Sequence, residues 1–298
     1  MGNEIIKYAD GAMFEAAPMK RDDKGLVTPK VTLLWATPDP LGAIAAACNM
    51  YEGTPTYSLD DLSGHDRKRH WENVQKTHLK APLEFVKMHF FIEGVTRAFT
   101  HQMVRQRTAV YAQESLRFAV KDGFASEVAL PPSLQGLKDD DPKMLVWNEA
   151  VCAAERAYMG LVGAGVPAED ARGLLPHSVT TRLNYCTDLR ALMDHAGNRL
   201  CTQAQLEWRQ VFTQILLALR AADTLPEPGH HNMIGSAWHI ITDPMYAAFA
   251  PVCYAKGKCP FKAEFDRGCT IRERADRGAF DEINPAEWML DRKAAWVK

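Results

Sequence analysis

Three arginines, Arg105, Arg107 and Arg117, fall within thirteen residues, interleaved with Gln102, Gln106, Gln113, Ser115, Tyr111 and Phe118. A guanidinium presents a rigid fork of donors that grips a phosphate or carboxylate at two points, and its plane stacks on rings. On a helix running through Arg107, residues 105 and 107 would point about 200° apart. They would then serve two different clients, two ligands or two subunits; the other reading is that they are solvated or pair with acids. A second set, Arg182, Arg190 and Arg199, is interspersed with Asp188 and Asp194. On one helix Asp188, His195 and Arg199 share a face, and Arg190, Asp194 and Gly197 share another. That set reads either as an Arg190–Asp194 ion pair or as the wall of a nucleotide or cofactor pocket.

Several chemistries are absent from the sequence. It contains no GxGxxG fingerprint, P-loop, GxSxG elbow or HExxH pair, so a bound cofactor is held by something other than a Rossmann or P-loop turn. Ser115 has no His–Asp pattern nearby, so a triad is not indicated. The seven cysteines include no CxxC pair, and the spacings of Cys253, Cys259 and Cys269 fit no common zinc site. We therefore expect reduced thiols in a cytoplasmic protein, and no metal. The 298 residues are 47% apolar and 24% charged, the balance of a globular chain with a sizeable core. A net charge of −2 argues against a polycation that wraps nucleic acid, and no apolar run approaches the ~18–20 residues of a membrane span. Met1–Asp10 has no apolar signal core, so no export is expected.

The elements that must carry these residues follow from periodicity. Residues 1–35 read as a strand-rich start, 40–52 as a helix opened by Pro40, and 60–80 as charged and helical. Alternation of Val86, Met88, Phe90 and Ile92 predicts a strand, and Val95, Phe99 and Met103 a helical stripe opposite His101, Gln102 and Arg105. Residues 118–140 read as loop. Asp141 followed by Pro142 predicts a helix start, with Trp147, Val151, Ala154, Tyr158 and Leu161 as its apolar face. Thr180–Thr187 reads as a strand. Leu189, Leu192, Met193, Ala196 and Leu200 form one further helical face, and Ala204, Trp208, Val211, Phe212, Ile215 and Leu219 another. Few strands with several long helices argue for an α+β class. We expect a main domain over 1–225 and a C-terminal extension, 226–298, packed on it.

Arg105-Gln106-Arg107, seven residues, then Ser115 resembles the Arg-His-Arg-x7-Ser signature of the flavin-dependent thymidylate synthases. The segment Phe90 to Gln102 is similar to that family's strand-to-helix approach, and Ser115-Leu-Arg117-Phe118 to its Ser-x-Arg-Tyr end. Cys48-Asn-Met-Tyr51, His78 to Phe85, Leu175-Pro176, Thr181-Arg182, Asp188 to Asp194 and Arg199 to Glu207 follow in the family's order. The resemblance spans roughly 31–222. Gln106 stands where the signature has His, Phe118 where it has Tyr, and Asp188 and Asp194 where it has asparagines.

The resemblance implies a central, mostly antiparallel sheet flanked by long helices and a homotetramer whose subunits share active sites. It implies reductive methylation of dUMP at C5 to dTMP, with methylenetetrahydrofolate as carbon donor, NADPH as reductant, FAD as cofactor and no protein nucleophile at C6. It carries over the dUMP site as Gln102, Arg105, Gln113, Ser115, Leu116 (through its backbone), Arg117, Arg182 and Arg199, with Arg199 and Ser115 as catalytic. It carries over the FAD site as His78, Arg105, Gln106, Arg107, Asp188, Arg190 and Asp194. The two aspartates belong nearer the flavin ring or ribose than the pyrophosphate. Two other readings are a related flavin enzyme making another C5-modified pyrimidine, such as a hydroxymethyl product, and a non-catalytic nucleotide- or RNA-binding homologue. The net charge opposes the last, and neither a nucleic acid nor a membrane partner is expected.

Overall fold

The computed structural model describes residues 14–15, 27–201 and 204–221. The strands are β1 (Phe14–Glu15), β2 (Lys30–Ala36), β3 (Lys87–Thr96), β4 (Val110–Gln113), β5 (Ala119–Val120) and β6 (Thr180–Asp188). The helices are α1 (Pro40–Tyr51), α2 (Gly64–Lys76), α3 (Arg97–Met103), α4 (Pro142–Gly163), α5 (Ala168–Ala171), α6 (Leu189–Arg199) and α7 (Leu206–Ala221). Four strands form one sheet in the order β2-β3-β6-β4, and β1 pairs with β5 in parallel. The Thr37 amide, just past β2, bonds to the Lys87 carbonyl at the start of β3, and the Leu189 amide, just past β6, bonds to Val86. Strand ends thus meet strand starts, the antiparallel pattern. This is the expected α+β class. The boundary expected at 225/226 and the whole extension, with Cys253, Cys259 and Cys269, lie outside the described residues.

The chain gathers into two compact units, each drawn from three stretches of sequence. Of the described residues, the first holds those from 14 to 30, 93–105 and 112–183, and the second holds 31–92, 106–111 and those from 184 to 221.

In the first unit α4 starts as its sequence dictates. Asp141 accepts from the Lys143 amide at 2.9 Å, and Pro142, which has no amide hydrogen to leave unpaired, occupies the first turn. Val151 and Tyr158, two turns apart, are buried with Val120, Phe124, Ala168, Ala171 and Val179. The Phe124 and Tyr158 rings meet edge to face at 6.0 Å. Leu161, expected on the same face, is 39% exposed, because it belongs to the last turn of the helix, beyond this core.

The approach to the arginine cluster differs from the sequence reading. β3 does not stop at Ile92 but runs to Thr96, so Val95 is a strand residue. Gly94 permits this path: its φ is +71°, and a Cβ there would stand 2.3 Å from the Thr28 carbonyl oxygen. Thr96 then caps α3, its hydroxyl accepting from the Phe99 amide at 3.0 Å. Phe99 and Met103 are fully buried, as their spacing predicts. The helix ends at Met103, so Arg105, Gln106 and Arg107 lie beyond it and the helical angle between 105 and 107 does not apply.

In the second unit Asp39 caps α1, accepting from Gly42 at 2.7 Å, and also pairs with Arg67 of α2 at 2.8 Å. A side chain at residue 42 would collide with the Asp39 carboxylate, so the glycine is a condition of the cap. His70 of α2 is buried, with the Arg69 guanidinium 2.9 Å from its Nε2. Burial, and then Arg69, hold its imidazole below the ordinary 6.5.

Two outcomes are expected. Gly94→Ala should destabilise the chain by about 2 kcal/mol or more, read as the shift in denaturant midpoint. Because His70 takes up its proton more readily in the unfolded chain, stability falls as pH drops through 6.5, by at most about 1.4 kcal/mol per pH unit from this residue. A His70→Phe chain, denatured at pH 7.5 and 5.5, should lose less on acidification than the unaltered chain.

Candidate active site

The predicted residues divide between the two units. The dUMP candidates Gln102, Arg105, Gln113, Ser115, Leu116, Arg117 and Arg182 belong to the first, and Arg199 to the second. The FAD candidates His78, Gln106, Arg107, Asp188, Arg190 and Asp194 belong to the second, and Arg105 to the first.

In the first unit, the chain leaving β4 turns about Ser115. The Ser115 hydroxyl accepts from the Arg117 amide at 3.3 Å, and its carbonyl accepts from Phe118 at 3.2 Å and Ala119 at 2.9 Å. Leu116 is buried and anchors the turn. Arg117 lies over the Phe118 ring, 5.4 Å from its centroid, and reaches Glu169 of α5 at 2.7 Å with both side chains about half exposed. Such a pair is weakly held and gives way to a stronger anion. Gln113 donates to the Thr100 hydroxyl at 2.9 Å, whereas Gln102 and Arg105 are exposed at the end of α3.

Glu114 organises the cations of this unit. Its carboxylate accepts from Lys121 Nζ at 2.8 Å and from the Thr181 hydroxyl at 3.2 Å, and lies 3.7 Å from Arg182 Nε. Lys121 is 2% exposed, and an ammonium buried to that degree requires its carboxylate. Arg97, half-buried, senses both Arg172 and Glu114. Burial, and then repulsion from Arg172, draw its guanidinium below the ordinary range. Lys121, Arg182 and Arg97 thus interact with one carboxylate while Arg172 repels Arg97, and among the described residues neither Arg97 nor Arg172 forms an ion pair. An excess of positive charge in a partly dry environment is a site for an anion.

In the second unit the rings of Phe90, Tyr185 and Tyr111 form a stack, with centroid separations of 6.1 and 5.5 Å. Gln106 is 4% exposed; its Oε1 accepts from the Tyr185 hydroxyl at 3.2 Å, and its carbonyl accepts from the Tyr111 hydroxyl at 3.1 Å. Its amide nitrogen has no hydrogen-bond partner among the described residues, which is costly for a buried donor. Burial pushes Tyr185 up to about 12 and Tyr111 higher, so both stay neutral donors. Arg199 ends α6 with its guanidinium 4.4 Å from the centroid of the buried Trp208 ring. Burial lowers its affinity for its proton, and no ion pair holds it among the described residues. Burial and the Arg199 charge hold the neighbouring His195 below its ordinary range, so it stays neutral at neutral pH.

The other FAD candidates have mainly structural partners or lie open. Asp188 caps α6, accepting from Ala191 at 2.8 Å, and pairs with Lys87 at 3.3 Å. Arg190 is held by Glu84 at 2.6 Å, and Asp194, expected as its partner, stands farther off at 3.9 Å and is exposed. His78 and Arg107 are exposed. Spacing alone missed Arg97, Arg172, Glu114, Lys121, the two tyrosines and Trp208, which it placed in the core. The ring side chains and the lone Glu114 beside Ser115 were the available signals. Among the described residues, no cluster of His, Cys, Asp or Glu is arranged to hold a metal.

An antiparallel α+β sheet with an anion site and a ring-lined, donor-bearing site has the makings of a nucleotide-modifying enzyme, and comparison with known proteins specifies the family. Residues 32–224 match the family described as thymidylate synthase complementing protein. The chain is 34% identical over 189 residues to the flavin-dependent thymidylate synthase of Geobacter sulfurreducens, covering 63% of this chain and 80% of that protein. It is 30% identical over 248 residues to that of Pyrococcus horikoshii, covering 82% and 95%. A Helicobacter pylori thymidylate synthase solved with FAD and dUMP aligns with TM-score 0.51 at 20% identity, over 64% of this chain and 92% of that one. A Streptomyces cacaoi UMP/dUMP methylase solved with 5-bromo-dUMP aligns at 0.52 and 21%, over 69% and 93%. The chain belongs to the thymidylate synthase complementing protein family.

Glu114→Gln strands the buried Lys121 and should cost about 3–5 kcal/mol in chemical denaturation. Adding Lys121→Met to that chain should recover most of the loss, since a methionine needs no counter-charge.

Proposed function

We propose that this protein is an FAD-dependent thymidylate synthase that converts dUMP to dTMP by reductive methylation at C5. Methylenetetrahydrofolate donates the carbon and NADPH the electrons. The observation that carries this reading is the cation excess about Glu114, a receptor for a nucleotide phosphate in a chain of this family. Arg97, Arg172, Arg182 and Arg117 bind the phosphate, with Arg117 exchanging Glu169 for it and the Leu116 amide adding a backbone donor. Gln102, Arg105 and Gln113 orient the nucleotide, and Ser115 sets the turn that presents Arg117.

FAD fits the second unit. The Gln106 amide nitrogen is a buried donor awaiting an acceptor, and the carbonyl oxygens of a flavin ring are acceptors. Arg107 and Arg105 are free to meet its pyrophosphate, with His78, Arg190, Asp188 and Asp194 at its periphery. When bound, FAD supplies the redox and one-carbon chemistry, which the side chains here do not. Arg199 stabilises negative charge on a pyrimidine oxygen as C5 becomes nucleophilic. Its desolvation, with no ion pair among the described residues, makes that stabilisation strong. No protein nucleophile attacks C6 in this reading, and the Ser115 hydroxyl, which accepts from the Arg117 amide, serves the turn.

The active protein is a homotetramer with shared sites. Exposed Trp35, Phe85 and Val110 support this, since large apolar side chains in the open mark contacts with further subunits. The free, buried thiol of Cys48 suits a reducing cytoplasm.

Incubating the protein with dUMP, NADPH and 13C-labelled methylenetetrahydrofolate should yield dTMP one labelled carbon heavier, read by mass spectrometry. A hydroxymethylated product, or none with FAD bound, would contradict the reading. Arg97→Ala should weaken dUMP binding about 10- to 150-fold, the equivalent of about 1.5–3 kcal/mol for a charged hydrogen bond. FAD content, read from absorbance, should be unchanged.

A further inference from the structure

Arg199 is held in an unusual way for a partly buried cation. A carboxylate commonly orients such a guanidinium, but it also cancels the charge and occupies donors. Here the support is the face of Trp208, 4.4 Å from the guanidinium carbon. The indole is 1% exposed and is itself wedged against Phe212, centroids 5.7 Å apart. Trp208 sits in the first turn of α7 and Arg199 at the last residue of α6, where the C-terminal end of the helix also favours a cation. A ring attracts a cation through its face and takes none of the five N–H donors. Among the described residues, the other groups near the guanidinium leave its charge intact: the Tyr111 phenol, which burial keeps neutral, and His195, neutral at neutral pH.

We infer that Trp208 is the positioning residue for Arg199, fixing the guanidinium by its ring face while leaving its charge and its donors available to the pyrimidine. This rests on the role proposed above for Arg199 in dTMP synthesis. Trp208 does not touch the substrate. Because Arg199 acts on charge that develops during the reaction, loosening it lowers kcat more than it raises the KM for dUMP. A smaller aromatic ring in place of the indole retains part of the effect, and an aliphatic side chain does not, although both fill the cavity with apolar atoms.

Trp208→Phe and Trp208→Leu are compared with the unaltered holoenzyme, after melting temperature and FAD content show that each is folded and loaded. Trp208→Leu should lose at least tenfold in kcat with its KM for dUMP within threefold, and Trp208→Phe should keep a third or more of the original kcat. Trp208→Met serves as the aliphatic variant should the leucine variant not fold. Equal kcat in the phenylalanine and aliphatic variants, or a loss confined to KM, would overturn the inference. An unaltered enzyme that makes no dTMP would instead overturn the reading on which it rests.

Discussion

The Glu114 carboxylate is the point of charge balance on which the cation cluster of the first unit depends. It holds Lys121, an ammonium almost wholly removed from water, and it lies within reach of Arg182 and in the field of Arg97. One anion is enough to make the burial of Lys121 tolerable and too little to neutralise the guanidinium groups around it. A second carboxylate beside Glu114 would make the folded chain more comfortable and this cluster less attractive to a phosphate. Glu169, the other acid nearby, is paired with Arg117 where both are open to solvent and the pair is easily exchanged.

The second unit follows a different rule. It is built from neutral donors and rings: Gln106, Tyr111, Tyr185, Phe90 and Trp208. Gln106 carries no proton to gain or lose near neutral pH, unlike the histidine at this place in the family signature. Its Oε1 is committed to Tyr185, which fixes the amide and leaves the nitrogen as the group in need of a partner. Arg199 keeps its charge because its support is an aromatic face and not an acid. The first unit thus gathers cations about one carboxylate, and the second sets dry, neutral rings and amides beside the Arg199 guanidinium.

Much of this was legible in the sequence, for local reasons. The cap at Asp141-Pro142, the alternation of Met88, Phe90 and Ile92, and the stripes on α6 and α7 depend on neighbours a few residues away, and they appear where periodicity placed them. The family resemblance located Arg105, Gln106, Arg107, Ser115 and Arg117. The extension of β3 to Thr96 was hidden because Val95 also satisfies a helical spacing, and only the contact of Gly94 with Thr28 decides between the two. The pairing of Glu114 with Lys121 and Arg182 joins residues just past β4 and β5 to one on β6, which no local pattern reports. Trp208 fitted a core stripe and is indeed buried; that its face carries Arg199 depends on where α6 ends. Asp188 and Arg190, expected at the cofactor, also have structural partners because a helix start and a nearby Glu84 engage them.

The central claim is that this protein binds FAD and reduces it in a way that responds to dUMP. Its most direct test is the visible absorption spectrum of the purified protein under anaerobic conditions, before and after NADPH, with and without dUMP. The account predicts flavin bands that bleach on addition of NADPH, and bleach faster when dUMP is present. A colourless protein that also fails to take up added FAD would contradict it, leaving the arginines to bind a nucleotide without turnover.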